Sequence, residues 1–316
     1  RNELENLQQN LDRFLSQSYR SFEVVVVNDH STDGTLEYLL DNQKKYSNLV
    51  IVNLKEATPP GKKAALTEGI WHATHDLLLL TDADCSPRSK NWISQMQAAL
   101  IDRKQIVLGY SPYLPAPTPL NYFICFETVF TAVQYFSFAL IRIPYMGVGR
   151  NLLYHRSIFE RAGGFRQHAH LASGDDDLLI NAVADQQNTS IILDPQTFID
   201  SIPKRTWSGY YYQKTRHLTT GSSYKRVHQL VLGLVSASHF GHYVLGLCLI
   251  NSPLLLVVLL IYLVRMSVVW FLYARILRKL HALRLLPWIP LLDAALVLYY
   301  ALFAPVLITG KQQQWK

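Results

Sequence analysis

Leu77-Leu78-Leu79-Leu80-Thr81-Asp82-Ala83-Asp84 joins an apolar run directly to two carboxylates spaced two residues apart. A short, continuous apolar run of this kind reads as a strand covered on both faces, as in a parallel sheet. Strand side chains alternate, so Asp82 and Asp84 point the same way if extended geometry persists past Leu80, and together they offer hard oxygen ligands suited to Mg2+ or Mn2+. The bland alternative is an exposed acidic turn, and the position at the end of a buried strand argues for the ligand reading.

The surroundings repeat the theme. Upstream, Leu4, Leu7, Leu11, Phe14 and Leu15 recur at helical spacing within 3–19, and the Val-rich run 22–27 reads as a second buried strand ending in a polar turn at 28–34. A helix over 35–45, a strand over 49–54, a helix over 62–73, the strand 76–80, a helix over 89–101 and a strand over 106–110 follow. Such alternation predicts an α/β domain with a mainly parallel sheet flanked by helices. Ligands of these sheets bind beyond the carboxyl ends of the strands, so Asn28-Asp29 and Asp82-Ala83-Asp84 should face one crevice.

A second acidic group, Gly174-Asp175-Asp176-Asp177, crowds three carboxylates together. One reading is a helix cap supplied by Asp175 or Asp177. The other is a general base, because like charge raises a carboxylate's pKa and lets it take a proton from a hydroxyl. A third group, Gln213-Lys214-Thr215-Arg216-His217, places Lys214 and Arg216 where they could contact a diphosphate, or simply lie beside lipid. Gly61-Lys62-Lys63-Ala64 lacks Walker spacing, so ATP hydrolysis is unsupported.

Composition divides the chain near residue 228. Beyond it the sole carboxylate is Asp293, among apolar runs at 230–250, 254–274 and 285–308, each long enough to span the roughly 20 residues a bilayer core requires. Arg265 interrupts the second run and must face protein, water or a headgroup. The basic connector Arg275, Arg278, Lys279 and Arg284 places that loop in the cytoplasm. A third full span would then put Lys311 and Lys316 outside, against the charge rule, and Pro287, Pro290, Asp293 and Pro305 suggest a broken or re-entrant last segment. Residues 120–143 are aromatic and apolar, but Glu127, Gln134 and Arg142 favour a helix at the membrane interface or packed on the catalytic domain. His239 and His242, at i, i+3, read as a polar packing pair without metal. The net charge of +7 fits a membrane neighbour better than nucleic acid, and three cysteines without a CxxC pair indicate a reduced domain.

In order and spacing these pieces resemble the family 2 glycosyltransferases, which include cellulose, chitin and hyaluronan synthases and many bacterial single-sugar transferases. Glu23 to Asp33 matches the nucleotide-binding turn, Gly61 to Leu66 and Thr81 to Asp84 the next two landmarks, and Gly147-Val148-Gly149-Arg150-Asn151 with Gly163-Gly164-Phe165 the acceptor-side segment. The resemblance implies a nucleotide-diphospho-sugar transferase fold over 1–228, a membrane region with two to three helices over 229–316, and a bacterial inner-membrane protein whose catalytic domain is cytoplasmic. It implies Asp176 as catalytic base with Asp175 beside it, Asp177 being a substitute. Asp29, Lys62, Asp82, Asp84, Gln213 and Arg216 would bind the donor, with Asp84 and Asp82 holding Mg2+ or Mn2+. Gln213 and Arg216 match a Gln-x-x-Arg-Trp motif in which His217 replaces Trp, which argues against processive synthesis. Arg1-Asn2-Glu3 resembles the segment after the family's first strand, so that strand appears absent. The expected reaction is inverting transfer of a sugar from a UDP-linked donor to a hydroxyl of a lipid or glycan in cell-envelope synthesis. The rivals are a polyprenyl-phosphate sugar transferase and a non-catalytic membrane scaffold or transport protein.

Overall fold

The computed structural model describes residues 1–55 and 62–309, with side chains up to residue 306. The described residues form two compact units, one from 1–114 with 131–204, the other from 115–130 with 205–309.

In the first unit, helix α1 (Leu4–Leu15) presents Leu7, Leu11 and Leu15 to Leu39 and Leu49, which is what its i, i+4 apolar spacing demands. The valine run becomes β1 (Val24–Asn28), linked through α2 (Thr35–Gln43) to β2 (Leu49–Asn53), and the two strands pair in parallel from Val24 opposite Leu49 to Asn28 opposite Asn53. Helix α3 (Lys63–His72) leads into β3 (Leu77–Leu80), after which come β4 (Cys85–Pro87), α4 (Trp92–Ala98) and β5 (Ile106–Leu108). Further on lie β6 (Leu152–His155), α6 (Arg156–Arg161), α7 (Asp177–Val183), β7 (Thr189–Ile191) and β8 (Ile199–Ser201); α5 (Pro119–Leu140) contributes to both units.

The α/β architecture is as expected, and its sheets are mixed. Strand β6 runs antiparallel to both β3 and β5, while β5 pairs in parallel with β7, and β4 pairs antiparallel with β8. The core beneath them gathers Phe14, Cys85, Trp92, Met96, Val107, Leu153 and Ile199. Trp92 Nε1 donates to Asn151 Oδ1 at 3.0 Å, and Asn151 Nδ2 donates to the carbonyls of Tyr110 and Thr197 at 2.8 and 2.7 Å. This buried network fixes the backbone just after Arg150, because an unmet polar group there would be costly.

The second unit contains α8 (Trp207–Leu218), α9 (Arg226–Cys248), α10 (Leu255–Lys279) and α11 (Ile289–Thr309), the last preceded by a 3-10 turn, Leu283–Trp288, that holds Pro287. The break expected in the final segment is confined to this turn, since α11 then runs on through Pro305. Lys311 and Lys316 lie outside the described residues. Among the described residues, four stretches are long and apolar enough to cross a membrane, namely Pro119–Leu140, Arg226–Cys248, Leu255–Lys279 and Leu283–Val306. Almost none of the apolar windows of α9 and α10 is buried, whereas 61% of that of α5 is.

Arg265 meets Asp293: its Nη1 donates to Asp293 Oδ2 at 2.7 Å, and Tyr243 donates to the same oxygen at 2.6 Å. His239 lies 3.4 Å from Asp293 and His242 stacks on Tyr262, while both rings pack edge-on against Tyr243. Replacing Asp293 by Ala strands the partly buried Arg265 charge, and should lower stability in detergent by about 3–5 kcal/mol, with much of the loss restored when Arg265 is also made Leu; thermal melts of the two variants check this.

Candidate active site

The described residues place the two acidic motifs around one amine. Lys62, the residue before α3, sets its Nζ 2.8 Å from Asp82 Oδ1 and 3.0 Å from Asp175 Oδ2. Burial opposes the lysine's charge, but Asp175, Asp82 and Asp176 outweigh it and hold Lys62 protonated well above the ordinary lysine range. Gly61, which begins the expected motif, lies outside the described residues. Lys63, next along, is buried and turns to the other side, where Nζ donates to the carbonyls of His168 and Leu171 at 2.5 and 3.1 Å. Consecutive lysines therefore tie α3 to the strand end at Asp82 and to the loop leading into Asp175.

Asp82 and Asp84 do come together, by a different route from the one expected. The chain leaves the extended conformation after Leu80 and turns, with Cys85 N donating to Asp82 O at 3.1 Å. The turn, not strand alternation, brings the carboxylates close enough that burial and then Asp82 push the Asp84 pKa upward against the pull of Arg150. Crowded carboxylates of this kind suit a hard divalent cation. No cluster of three His, Cys, Asp or Glu with metal-ligand geometry occurs among the described residues.

Asp176 is the N-cap of α7, a role expected of Asp175 or Asp177; its Oδ1 accepts from Asp177 N at 2.8 Å. Its Oδ2 accepts from Gly149 N at 2.6 Å. The approach depends on glycine, since a Cβ at 149 would stand 3.2 Å from that oxygen. Gly174 is required likewise: its φ is +97° and a Cβ there would meet Leu178 at 2.5 Å. Burial pushes Asp176 up to about 7, with Asp175 and Asp177 adding to the shift and Lys62 and the Gly149 N–H opposing it.

Asp29 stands just past the carboxyl end of β1, with its Oδ1 3.0 Å from His30 Nδ1. Gln213 and Arg216 lie on α8 in the second unit. Lys214, left open between a diphosphate contact and a place beside lipid, sits 2.6 Å from the buried Glu127 of α5 within the same unit. Arg150 was legible only as part of a motif. Its guanidinium packs 4.3 Å from the Tyr113 ring centre, with Nη2 3.4 Å from Ser111 O, and burial is outweighed by Tyr113, Cys85, Asp82 and Asp84 in holding it charged. A lone cation beside glycines was the available signal.

Comparison with known proteins matches residues 1–161 to the model described as Glycosyl transferase family 2. The "Probable glycosyltransferase YdaM" of Bacillus subtilis is 27% identical over 205 residues, 61% of this chain and 46% of its own. Glycosyltransferase AglE of Haloferax volcanii is 38% identical over 96 residues, 30% of this chain and 31% of its own. The chain thus spans less than half the length of either relative. Among solved structures, the mannosyltransferase PcManGT of Pyrobaculum calidifontis in complex with GDP-Man and Mn2+ superposes with a TM-score of 0.58 at 19% identity, over 94% of this chain and 84% of that one, which shows a shared fold. With its family model covering half the sequence and its acidic motifs gathered in one unit, the chain belongs to glycosyl transferase family 2.

Proposed function

We propose that the chain is an inverting glycosyltransferase that moves a sugar from a nucleoside-diphosphate donor to a hydroxyl of a lipid or glycan acceptor, one residue at a time. The observation that carries it is a carboxyl group poised at about 7, Asp176, in the same cluster as the Asp82 and Asp175 carboxylates bridged by Lys62.

Asp176 takes the proton of the acceptor hydroxyl; that oxygen forms the new bond at the anomeric carbon while the bond to the diphosphate oxygen breaks on the opposite face. No covalent enzyme intermediate is required. A group that titrates near neutrality balances being ionised against being basic enough to accept the proton. Asp82 and Asp84 would hold Mg2+ or Mn2+, which when bound would supply positive charge to the departing diphosphate. Asp29 receives the nucleotide base, and Lys62 keeps the donor-side and base-side carboxylates at fixed separation. The family resemblance assigns Gln213 and Arg216 to the donor, and His217 in place of Trp supports a non-processive enzyme. UDP is the expected nucleotide; the GDP-Man and Mn2+ of the Pyrobaculum protein make GDP the second to try.

The apolar helices α9 to α11 support a membrane protein, and the basic connector at Arg275, Arg278 and Lys279 supports a cytoplasmic catalytic unit in a bacterial inner membrane, where a lipid-linked acceptor is within reach.

Asp176→Asn should lower turnover by about 10²–10⁴-fold while donor binding changes by no more than a few-fold, measured with radiolabelled UDP and GDP sugars; retained turnover removes Asp176 from the role. Because the base must be ionised, kcat should climb tenfold per pH unit below about 7 and level off above it, and a profile flat from pH 5.5 to 8 contradicts the assignment. Gly149→Ala pushes the Asp176 carboxylate off the Gly149 N–H and should cost at least about tenfold in kcat with little change in donor affinity, read from steady-state kinetics.

A further inference from the structure

The Gly149-Arg150-Asn151 segment touches the site twice. Gly149 N holds the Asp176 carboxylate, while the side chain of Arg150 turns toward Ser111 and Tyr113. Asn151, locked by Trp92, Tyr110 and Thr197, leaves this backbone little freedom to move. Tyr113, over which Arg150 packs, bridges to Ser201, and Ser201 pairs with Cys85, whose Sγ lies 3.5 Å from Asp84 Oδ1; the guanidinium is thus among the charges that act on Asp82 and Asp84. Its Nη1 is buried without a hydrogen-bond acceptor, and so is the hydroxyl of Thr81, the residue before Asp82. Both atoms are donors, and buried donors without acceptors are costly until an oxygen-rich ligand or water satisfies them.

A fixed positive charge beside two candidate metal carboxylates has a consequence for cation binding. Arg150 already offsets part of the negative potential of Asp82 and Asp84, and it repels a divalent ion arriving alone. A diphosphate supplies the missing negative charge and the acceptor oxygens together. We propose that Arg150 makes occupancy of Asp82 and Asp84 by a divalent cation conditional on the nucleoside diphosphate, so that cation and donor enter and leave as a pair. This rests on the metal-assisted transfer reading above. Arg150 is thereby a positioning residue that acts on the carboxylate site through its charge. By linkage, the factor by which nucleotide tightens the cation is the factor by which the cation tightens nucleotide.

The test uses the full chain in detergent and follows free Mn2+ by its electron paramagnetic resonance signal, with and without UDP or GDP. Wild type should bind Mn2+ at least about tenfold more tightly with one of the nucleotides than alone. Arg150→Gln should bind Mn2+ alone at least about tenfold more tightly than wild type, with the nucleotide effect correspondingly smaller. Arg150→Lys, which keeps the charge, should behave as wild type. If Arg150→Gln does not fold, Arg150→His substitutes, and its Mn2+ affinity should rise between pH 6 and pH 8 by more than wild type's as the imidazole loses its charge. Equal Mn2+ affinity of wild type and the neutral variant overturns the role of Arg150 and leaves the metal site standing. Absence of Mn2+ binding by every form, with either nucleotide, overturns the metal reading and this role with it.

Discussion

The first unit depends on the ammonium of Lys62. Asp82, Asp84, Asp175, Asp176 and Asp177 come from two motifs some ninety residues apart, and without a cation among them their repulsion would oppose the fold that assembles them. One amine within 3.0 Å of both Asp82 and Asp175 resolves this. Lys63, facing the other way, holds the carbonyls of His168 and Leu171, so the N-terminal end of α3 is tied both to Asp82 and to the loop that leads into Asp175. The carboxylates cannot drift independently, and a site whose parts move together suits a reaction in which proton removal and leaving-group departure belong to one displacement.

Electrostatic contrast then divides the labour. Asp176 and Asp84 are both pushed up, the former by burial and its acidic neighbours, the latter by burial and Asp82 with Arg150 pulling back. Asp176 alone has a backbone donor from a distant segment, Gly149 N, which fixes where its oxygen points. That contrast supports the proposed division between a group that receives a proton and a pair that holds a cation.

What could be read in the sequence was whatever depends on neighbours along the chain. The valine and leucine runs announced β1, β2 and β3, and the alternation of strand and helix gave the α/β class. Strands β5, β7 and β8 are three residues each, and their pairing is set by partners far away, so the antiparallel insertion of β6 carried no local signature. The acidic motifs were visible, but the way they meet was not: a turn closed by Cys85 N replaces strand alternation at Asp82 and Asp84, and Asp176 both caps α7 and faces Gly149. The partners of Lys214 and Arg150 were not legible for the same reason, since a cation's role is set by the carboxylate or ring it finds in space, Glu127 for one and Tyr113 for the other.

The meeting of Tyr243, Arg265 and His239 on Asp293 also orders events during synthesis. In the membrane reading proposed above, α9 and α10 would enter the bilayer before α11 is made, while the guanidinium of Arg265 still lacks its Asp293 counter-ion, a state that hydrocarbon disfavours strongly. Only when α11 arrives does that charge acquire its carboxylate. The last helix therefore closes the bundle, and nascent chains that stop short of Asp293 expose to the cell's quality-control machinery a cation that finished molecules conceal.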